Sequence, residues 1–395
     1  MKKTLVSILI AGFLIGLVLF LNPGGISDKI RDFDLLAYLD QQTDWDSVPA
    51  QEPTQGSPYK YYYKQLSNKE KHAYKEIYDN IFDMPEEIPI PFLTQEELEN
   101  VFQALLYDDP YLFFVGRKCT LTTKGTKSFF NAEYILSAHE YDERRRLLEA
   151  KVYEAVQGID LSDDFENELY IHDYVVNTCS YSGTGVEDEN TAYGALINRK
   201  AACEGYSKAV KILLDFVGIE SYVLTGDALG QDGTSEPHMW NIVKIEGDYY
   251  HLDSTWDDPV IIGGREDASP KYSYFNLSDK EISITHKNFT SSNLCTAIKA
   301  NYFFRKGSLF DSYDRAARQK TLELLVDAAE NHLSSFQIKF SDKEAYKKTL
   351  NSFAKEGELH SLIYDARSHT SKTLPYNPAL KENDDFNIIE IFLLI

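Results

Sequence analysis

The chain has 395 residues, 43% of them hydrophobic and 13% aromatic, with 21 Gly and 13 Pro. At roughly 100 to 200 residues per domain this predicts two or three folded domains, and it excludes a single small module, a disordered chain and a collagenous one. Its 62 acidic and 40 basic residues give a net charge of −22, which repels phosphate backbones; no local basic patch offsets it, so no nucleic-acid partner is expected.

After Met1, Lys2 and Lys3 comes an apolar run, Thr4 to Leu21, stopped by Asn22, Pro23, Gly24 and Gly25. At about 1.5 Å per residue the run spans ~27 Å, close to the hydrocarbon thickness of a bilayer. Asn22-Pro23-Gly24 makes a poor signal cleavage site, so residues 1–25 are expected to be an uncleaved transmembrane anchor, the alternative being a cleaved signal. Lys2 and Lys3 before the span and acidic residues after it place the body outside the cytoplasm, at the cell membrane. Cys119, Cys179, Cys203 and Cys295 include no C-x-x-C pair, which argues against a zinc cage, although one or two disulfides are open to an exported chain.

Residues 26–60, with Pro49, Pro53, Gly56 and Pro58 among charges, read as a tether. A helix-rich domain follows over 61–160. Ser67 to Glu70 and Thr94 to Glu97 are capping boxes, each opening a helix with apolar residues at helical spacing. Strands are expected at Tyr111–Val115, Cys119–Thr123 and Phe129–Leu136, then a helix from Asp142 to Val156. Over 161–275 the pattern becomes two helices and three strands: a helix capped by Ser162 or Asp163, a polar loop Ser182–Asn190, a helix beginning at Cys203 and ending at Gly218, and strands Ile219–Thr225, His238–Lys244 and Tyr249–Thr255. Residues 276–395 read as a small α+β domain with helices at 316–333 and 342–354 and strands at Phe336–Phe340, Leu359–Tyr364 and the apolar tail from Ile388.

A thiol becomes a nucleophile when a helix N-terminus or a neighbouring imidazole favours its anion. Cys203 has the first by position. A Cys followed by a His and then an Asp is the order of a thiol triad, and His238 and Asp253 supply those types on successive strands. With a two-residue Gly247-Asp248 turn the two share one face of the hairpin, staggered by about four residues, or ~13 Å, so a bulge, a different turn or strong twist must bring them together. Taken singly, each residue is more readily structural: Cys203 a small core residue, His238 and Asp253 buried polar groups.

Ala202-Cys203-Glu204-Gly205-Tyr206, His238-Met239-Trp240-Asn241 and Tyr250-His251-Leu252-Asp253-Ser254-Thr255-Trp256-Asp257-Asp258-Pro259 resemble the three motif blocks of bacterial transglutaminase-like domains. Ile171-His172-Asp173-Tyr174 and Thr191-Ala192-Tyr193-Gly194-Ala195-Leu196 resemble the family's approach to the nucleophile, so the likeness covers about 161–272. It implies an α+β, papain-like core in which the nucleophile's helix packs on an antiparallel sheet. It further implies that Cys203 is the nucleophile, His238 the general base and acid, and Asp253 the orienting carboxylate. The expected partner is a protein or peptide, cell-envelope peptides among them, whose amide carbonyl forms a thioester and passes to water or an amine.

Two departures are visible. The three tryptophans, Trp45, Trp240 and Trp256, leave no indole between Leu161 and Cys203 to hold an oxyanion, so the second donor beside the Cys203 N–H is expected from Tyr193 or Tyr181. No Asp-x-Asp-x-Asp-Gly calcium loop is present, and Asp257 and Asp258 beside Pro259 read as turn residues, so neither metal nor cofactor is called for. The competing reading keeps the fold and makes the chain an inactive binding or scaffold module of the cell envelope.

Overall fold

A computed structural model describes residues 45–47, 49–124, 127–230, 233–258 and 271–393. The expected anchor and most of the tether lie outside these residues; among the described residues no helix is long and apolar enough to cross a membrane. The fold is mixed α+β, and the described residues form two compact units: one takes in those within 45–56, 61–106 and 114–138, the other those within 57–60, 107–113 and 139–393.

In the first unit Ser67 caps helix α1 (Asn68–Ile81) through the expected reciprocal box with Glu70. One stripe, Ala73, Tyr74, Ile77, Tyr78 and Ile81, is buried. Helix α2 (Gln95–Asp108) opens on the second box, in which the Thr94 N–H donates to Glu97 Oε2 at 2.8 Å and the Glu97 N–H to Thr94 Oγ1 at 3.3 Å. Strands β1 (Ile88–Ile90), β2 (Val115–Lys124) and β3 (Lys127–Tyr134) form an antiparallel sheet in the order β1-β3-β2. Pro89 hides β1 from the sequence pattern, and an edge strand is where a sheet accepts a proline. The strand expected from Tyr111 does not form there. The Asp109 side chain accepts the Tyr111 N–H and Pro110 opens a 3-10 turn over Pro110–Leu112, so extended backbone begins only at Val115.

In the second unit helix α3 (Ala138–Ala155) precedes α4 (Asp164–Thr178), whose N-cap is Asp163. Short strands β4 (Ser180–Tyr181) and β5 (Lys200–Ala201) pair in parallel and deliver the chain to helix α5 (Cys203–Val217), which ends at Gly218 with φ 83°. Strands β6 (Ser221–Leu229), β7 (Ser235–Ile245), β8 (Asp248–Leu252) and β9 (His286–Lys287) form an antiparallel sheet in the order β8-β7-β6-β9. The strand β9 comes from the segment read as a C-terminal domain, so this sheet runs across the boundary expected at 275. Helix and sheet are stitched together: Asn241 Nδ2 donates to Ser207 O at 2.9 Å, and Ser207 Oγ donates to Met239 O at 3.0 Å.

Residues 57–60, read as the end of the tether, are packed into this unit. The cause is Lys211, fully buried on α5, whose ammonium must be partnered to leave water. It donates to Ser57 Oγ at 3.0 Å and Tyr59 O at 3.3 Å and pairs with Asp215 at 3.0 Å, while Ser57 Oγ donates to Asp215 Oδ2 at 2.7 Å.

A second sheet, β10 (Leu309–Phe310), β11 (Ser335–Phe340), β12 (Leu380–Asn383) and β13 (Ile388–Phe392), in the order β10-β11-β13-β12, carries helices α6 (Arg315–Glu330), α7 (Lys343–Lys355) and α8 (Glu358–Ala366). Residues 359–364, expected as a strand, lie within α8. The run Leu359, Leu362, Ile363, Ala366 has helical spacing, and all four are buried in the core with Leu325, Tyr346 and Ile389. Ser361→Pro separates the two assignments. It removes the Ser361 N–H bond to Gly357 O and clashes with the preceding turn, costing about 3 kcal/mol in urea unfolding. A variant as stable as the parent would argue for extended backbone there.

Candidate functional site

The approach to Cys203 is built by a buried carboxylate. Glu189 accepts hydrogen bonds from Ser182 Oγ, Thr184 Oγ1 at 2.8 Å and the Gly185 N–H at 3.0 Å, and its own carbonyl accepts the Ala202 N–H at 2.8 Å. That carbonyl also explains Gly205, where a Cβ would lie 2.5 Å from Glu189 O. Cys203 is the first residue of α5. No side chain caps this helix, so its first-turn N–H groups, with the positive end of the dipole, point to where the thiol begins.

The hairpin turn differs from the one expected. Ile245 pairs with Asp248, so the two turn residues are Glu246 and Gly247, both left-handed with φ 52° and 93°. Two positive φ angles in a two-residue loop match the twist of the flanking strands. The changed register halves the offset between His238 and Asp253 from four residues to two, within reach of a diagonal pair on one face. Pairing stops at Asn241↔Leu252, and Asp253 opens a turn in which its Oδ1 accepts the N–H groups of Thr255 (3.0 Å) and Trp256 (3.2 Å). His238 Nε2 then donates to Asp253 Oδ2 at 2.8 Å. Cys203 acts on the same imidazole, raising its pKa, and Nδ1 is the nitrogen not engaged by Asp253.

The structure therefore brings Cys203, His238 and Asp253 into one file. Cys203 and His238 open together with Tyr181 and Trp256 onto a cavity of about 1030 Å³. Burial drives the His238 ring toward neutrality, but the Asp253 carboxylate and the Cys203 thiol outweigh it and raise its pKa to about 10. The charged form of the ring is thereby favoured. For Asp253, burial acts to raise the pKa, and the charge and hydrogen bond of His238, with His286, pull it far below the usual carboxylate range. Cys119, Cys179 and Cys295 are free thiols whose pKa burial raises, Cys119 to about 11, Cys179 to about 12 and Cys295 also upward.

Of the two tyrosines expected as oxyanion donors, Tyr181 lines the cavity and pairs with Ala201, two residues before Cys203. Tyr193 is buried against Phe113 and beneath Arg144 and is not among the lining residues. Asp257 and Asp258 lie deep rather than on an exposed turn: Asp257 accepts the Tyr274 N–H at 3.0 Å, and Asp258 accepts Tyr206 O–H at 2.6 Å.

One member of the cluster has no motif in the sequence. His286, fully buried, reaches the same Asp253 Oδ2 at 3.1 Å. Its only early signal is small residues opposite: Gly226 pairs with His238 and Ala228 with His286, so β6 leaves space for two rings on one face. A Cβ at Gly226 would lie 2.9 Å from the Trp240 ring. Among the described residues two groups have donors close enough to hold a metal ion: His238, Asp253 and His286, and His251, Asp279 and Cys295. In the second, Trp240 Nε1 donates to His251 Nδ1 at 2.9 Å, which leaves the proton on Nε2 for Asp279 at 2.8 Å.

Residues 154–254 match the model of the transglutaminase-like superfamily, a span that includes Cys203, His238 and Asp253. The chain carries a transglutaminase-like domain. No curated protein matches it. Similar solved structures include a TGase (13% identity, TM-score 0.26, covering 41% of this chain and 48% of that one). They also include a cysteine protease candidate from Cytophaga hutchinsonii (12%, 0.25, 36% and 63%) and a protease candidate from Parabacteroides distasonis (12%, 0.21, 35% and 35%). The chain spans less than two thirds of each.

Glu168 on α4 is another buried titratable group of this unit. Burial raises the Glu168 pKa to about 8, although Asn276 Nδ2 donates to its Oε2 at 2.6 Å. A carboxyl with a raised folded-state pKa holds its proton in the fold where the unfolded chain has lost it, so stability falls as pH rises from about 4.5 to 8. Glu168→Gln keeps an acceptor for Asn276 and cannot ionise. Its urea midpoint is expected to fall less steeply than the parent's across that interval, and parallel curves would remove Glu168 as a contributor.

Proposed function

We propose that the chain is a thiol enzyme acting on amide or peptide bonds of protein or peptide substrates, with Cys203 as nucleophile, His238 as general base and acid, and Asp253 as the carboxylate that orients the imidazole. The observation that carries this reading is the hydrogen bond from Asp253 to His238, with His238 and Cys203 lining one cavity beside the first turn of α5 and Cys203 acting on the ring.

In the first half-reaction Cys203 Sγ, as the thiolate, attacks the carbonyl carbon. The tetrahedral oxyanion is met by the Cys203 N–H, with the Tyr181 hydroxyl as the second donor. His238 gives its Nδ1 proton to the leaving nitrogen, the C–N bond breaks, and a thioester remains. In the second half-reaction the neutral ring takes a proton from water or from an amine, which attacks the thioester and releases the acid or the new amide; thiolate and imidazolium are restored. Asp253 stays ionised throughout and holds the ring by Nε2. Hydrolysis is the preferred outcome in this proposal, and we place the reaction on the outer side of the cell membrane, following the charge asymmetry around Thr4–Leu21.

Two measurements test the assignment. A mild thiol-directed electrophile at neutral pH is expected to label Cys203 well ahead of Cys119, Cys179 and Cys295, and His238→Ala is expected to slow that labelling at least tenfold. Equal labelling of all four, unchanged by His238→Ala, would remove the nucleophile. Residues 55–395 incubated with a peptide library, with and without added amines, are expected to give mass shifts of cleavage, deamidation or amine addition that vanish in Cys203→Ala. A Cys203→Ala variant that restores the phenotype of a deletion strain would favour the scaffold reading instead.

A further inference from the structure

We propose that His286 is a positioning residue for this site, a second imidazole on the triad carboxylate that holds Asp253 in place and limits its pull on His238. The proposal rests on the catalytic reading above and extends it to a residue outside the three motif blocks and outside the matched span 154–254.

The proton positions follow from the partners. An ionised carboxylate only accepts, so both imidazoles reach Asp253 Oδ2 through N–H: His238 Nε2 at 2.8 Å and His286 Nε2 at 3.1 Å. With its proton on Nε2, His286 presents Nδ1 as an acceptor, and the Thr285 hydroxyl lies on it at 2.9 Å. Both His286 nitrogens are thus engaged by a neutral ring, and burial also holds this histidine below its usual pKa. The titratable groups facing it are Asp253, His238, His251 and Tyr274. Trp240 packs edge-on against the ring at 4.8 Å and Trp256 lies tilted against it at 5.0 Å, which confines its plane.

The consequence is a division of one oxygen between two donors. A second N–H on Oδ2 stabilises the carboxylate charge and makes it a weaker acceptor for His238. His238 must be acidic enough to release its proton to a leaving nitrogen, and an undiluted carboxylate would oppose that release. Its Oδ2 would also be held by His238 alone.

The test uses the full chain and three variants. His286→Leu removes the donor and retains apolar volume, His286→Gln restores an N–H close to the place of Nε2, and Thr285→Val removes the support of the ring. Two readouts are taken across pH: alkylation of Cys203 by iodoacetamide, which needs no substrate, and kcat and KM on whichever peptide the library identifies. His286→Leu is expected to lower kcat about ten- to a hundredfold, part of the 10² to 10⁴ that general acid–base catalysis supplies, with KM little changed. The upper, His238-dependent step of the alkylation profile should move to higher pH. His286→Gln is expected to recover most of both, and Thr285→Val to move them partway toward His286→Leu.

An unchanged kcat and alkylation profile in His286→Leu would overturn the proposal, as would His286→Gln behaving no better than His286→Leu, since the residue would then be filling space alone. If the parent protein shows no His238-dependent alkylation of Cys203, the catalytic reading fails and this one with it. If it does, failure in the variants belongs to His286 only.

Discussion

The site depends on one ionised carboxylate kept out of water. Asp253 is fully buried, and moving an unpaired carboxylate into such surroundings is too costly for a domain of ordinary stability. The fold meets this with four donors: two backbone N–H groups on Oδ1, from the turn that Asp253 itself begins, and two imidazoles on Oδ2. The two oxygens do different work. Oδ1 ties the carboxylate to the chain reversal after β8, so its position is set by backbone. Oδ2 holds the two imidazoles, and the ring that lines the cavity with Cys203 hangs from it. Every other feature of the site serves to bring a donor within reach: the left-handed turn at Glu246 and Gly247 sets the hairpin register, and the small residues of β6 let rings from β7 and β9 cross over it.

A second layer steadies the first. Trp240 stacks beside His238, meets His286 edge-on and donates its indole N–H to His251, whose other nitrogen is held by Asp279. The Cys295 N–H in turn donates to Asp279 Oδ2 at 2.9 Å. Each ring in the series has its tautomer dictated by a neighbour that can only donate or only accept. A buried polar network of this kind is stable only when complete, and its completeness is also what fixes the geometry of His238 and Asp253.

Much of this was legible from residue order, and the failures share a cause. Both capping boxes, the helix that starts at Cys203 and the types of the three site residues are local signals, read over a few residues. Register is not local: moving the turn by one residue, from Gly247-Asp248 to Glu246-Gly247, changes the offset of His238 from Asp253 by two. The short run Leu359–Tyr364 carries apolar residues consistent with either period, and only the burial of Ala366 along with Leu359, Leu362 and Ile363 decides for a helix. Residues 57–60 look like linker because nothing in their own composition reveals the buried ammonium of Lys211, more than 150 positions away.

His286 is the sharpest case of the same limit. It sits in a two-residue strand between polar residues, where periodicity has nothing to measure, and it reaches Asp253 only because β9 adds to the far side of β6. A motif records residues that lie close in sequence to one another; a carboxylate records whatever can donate to it, from any distance along the chain. When a buried acid has more donors than its motif supplies, the surplus donor is where a further part of the site is to be sought. Here that surplus is one imidazole, contributed by the segment that the composition alone had assigned to a separate domain.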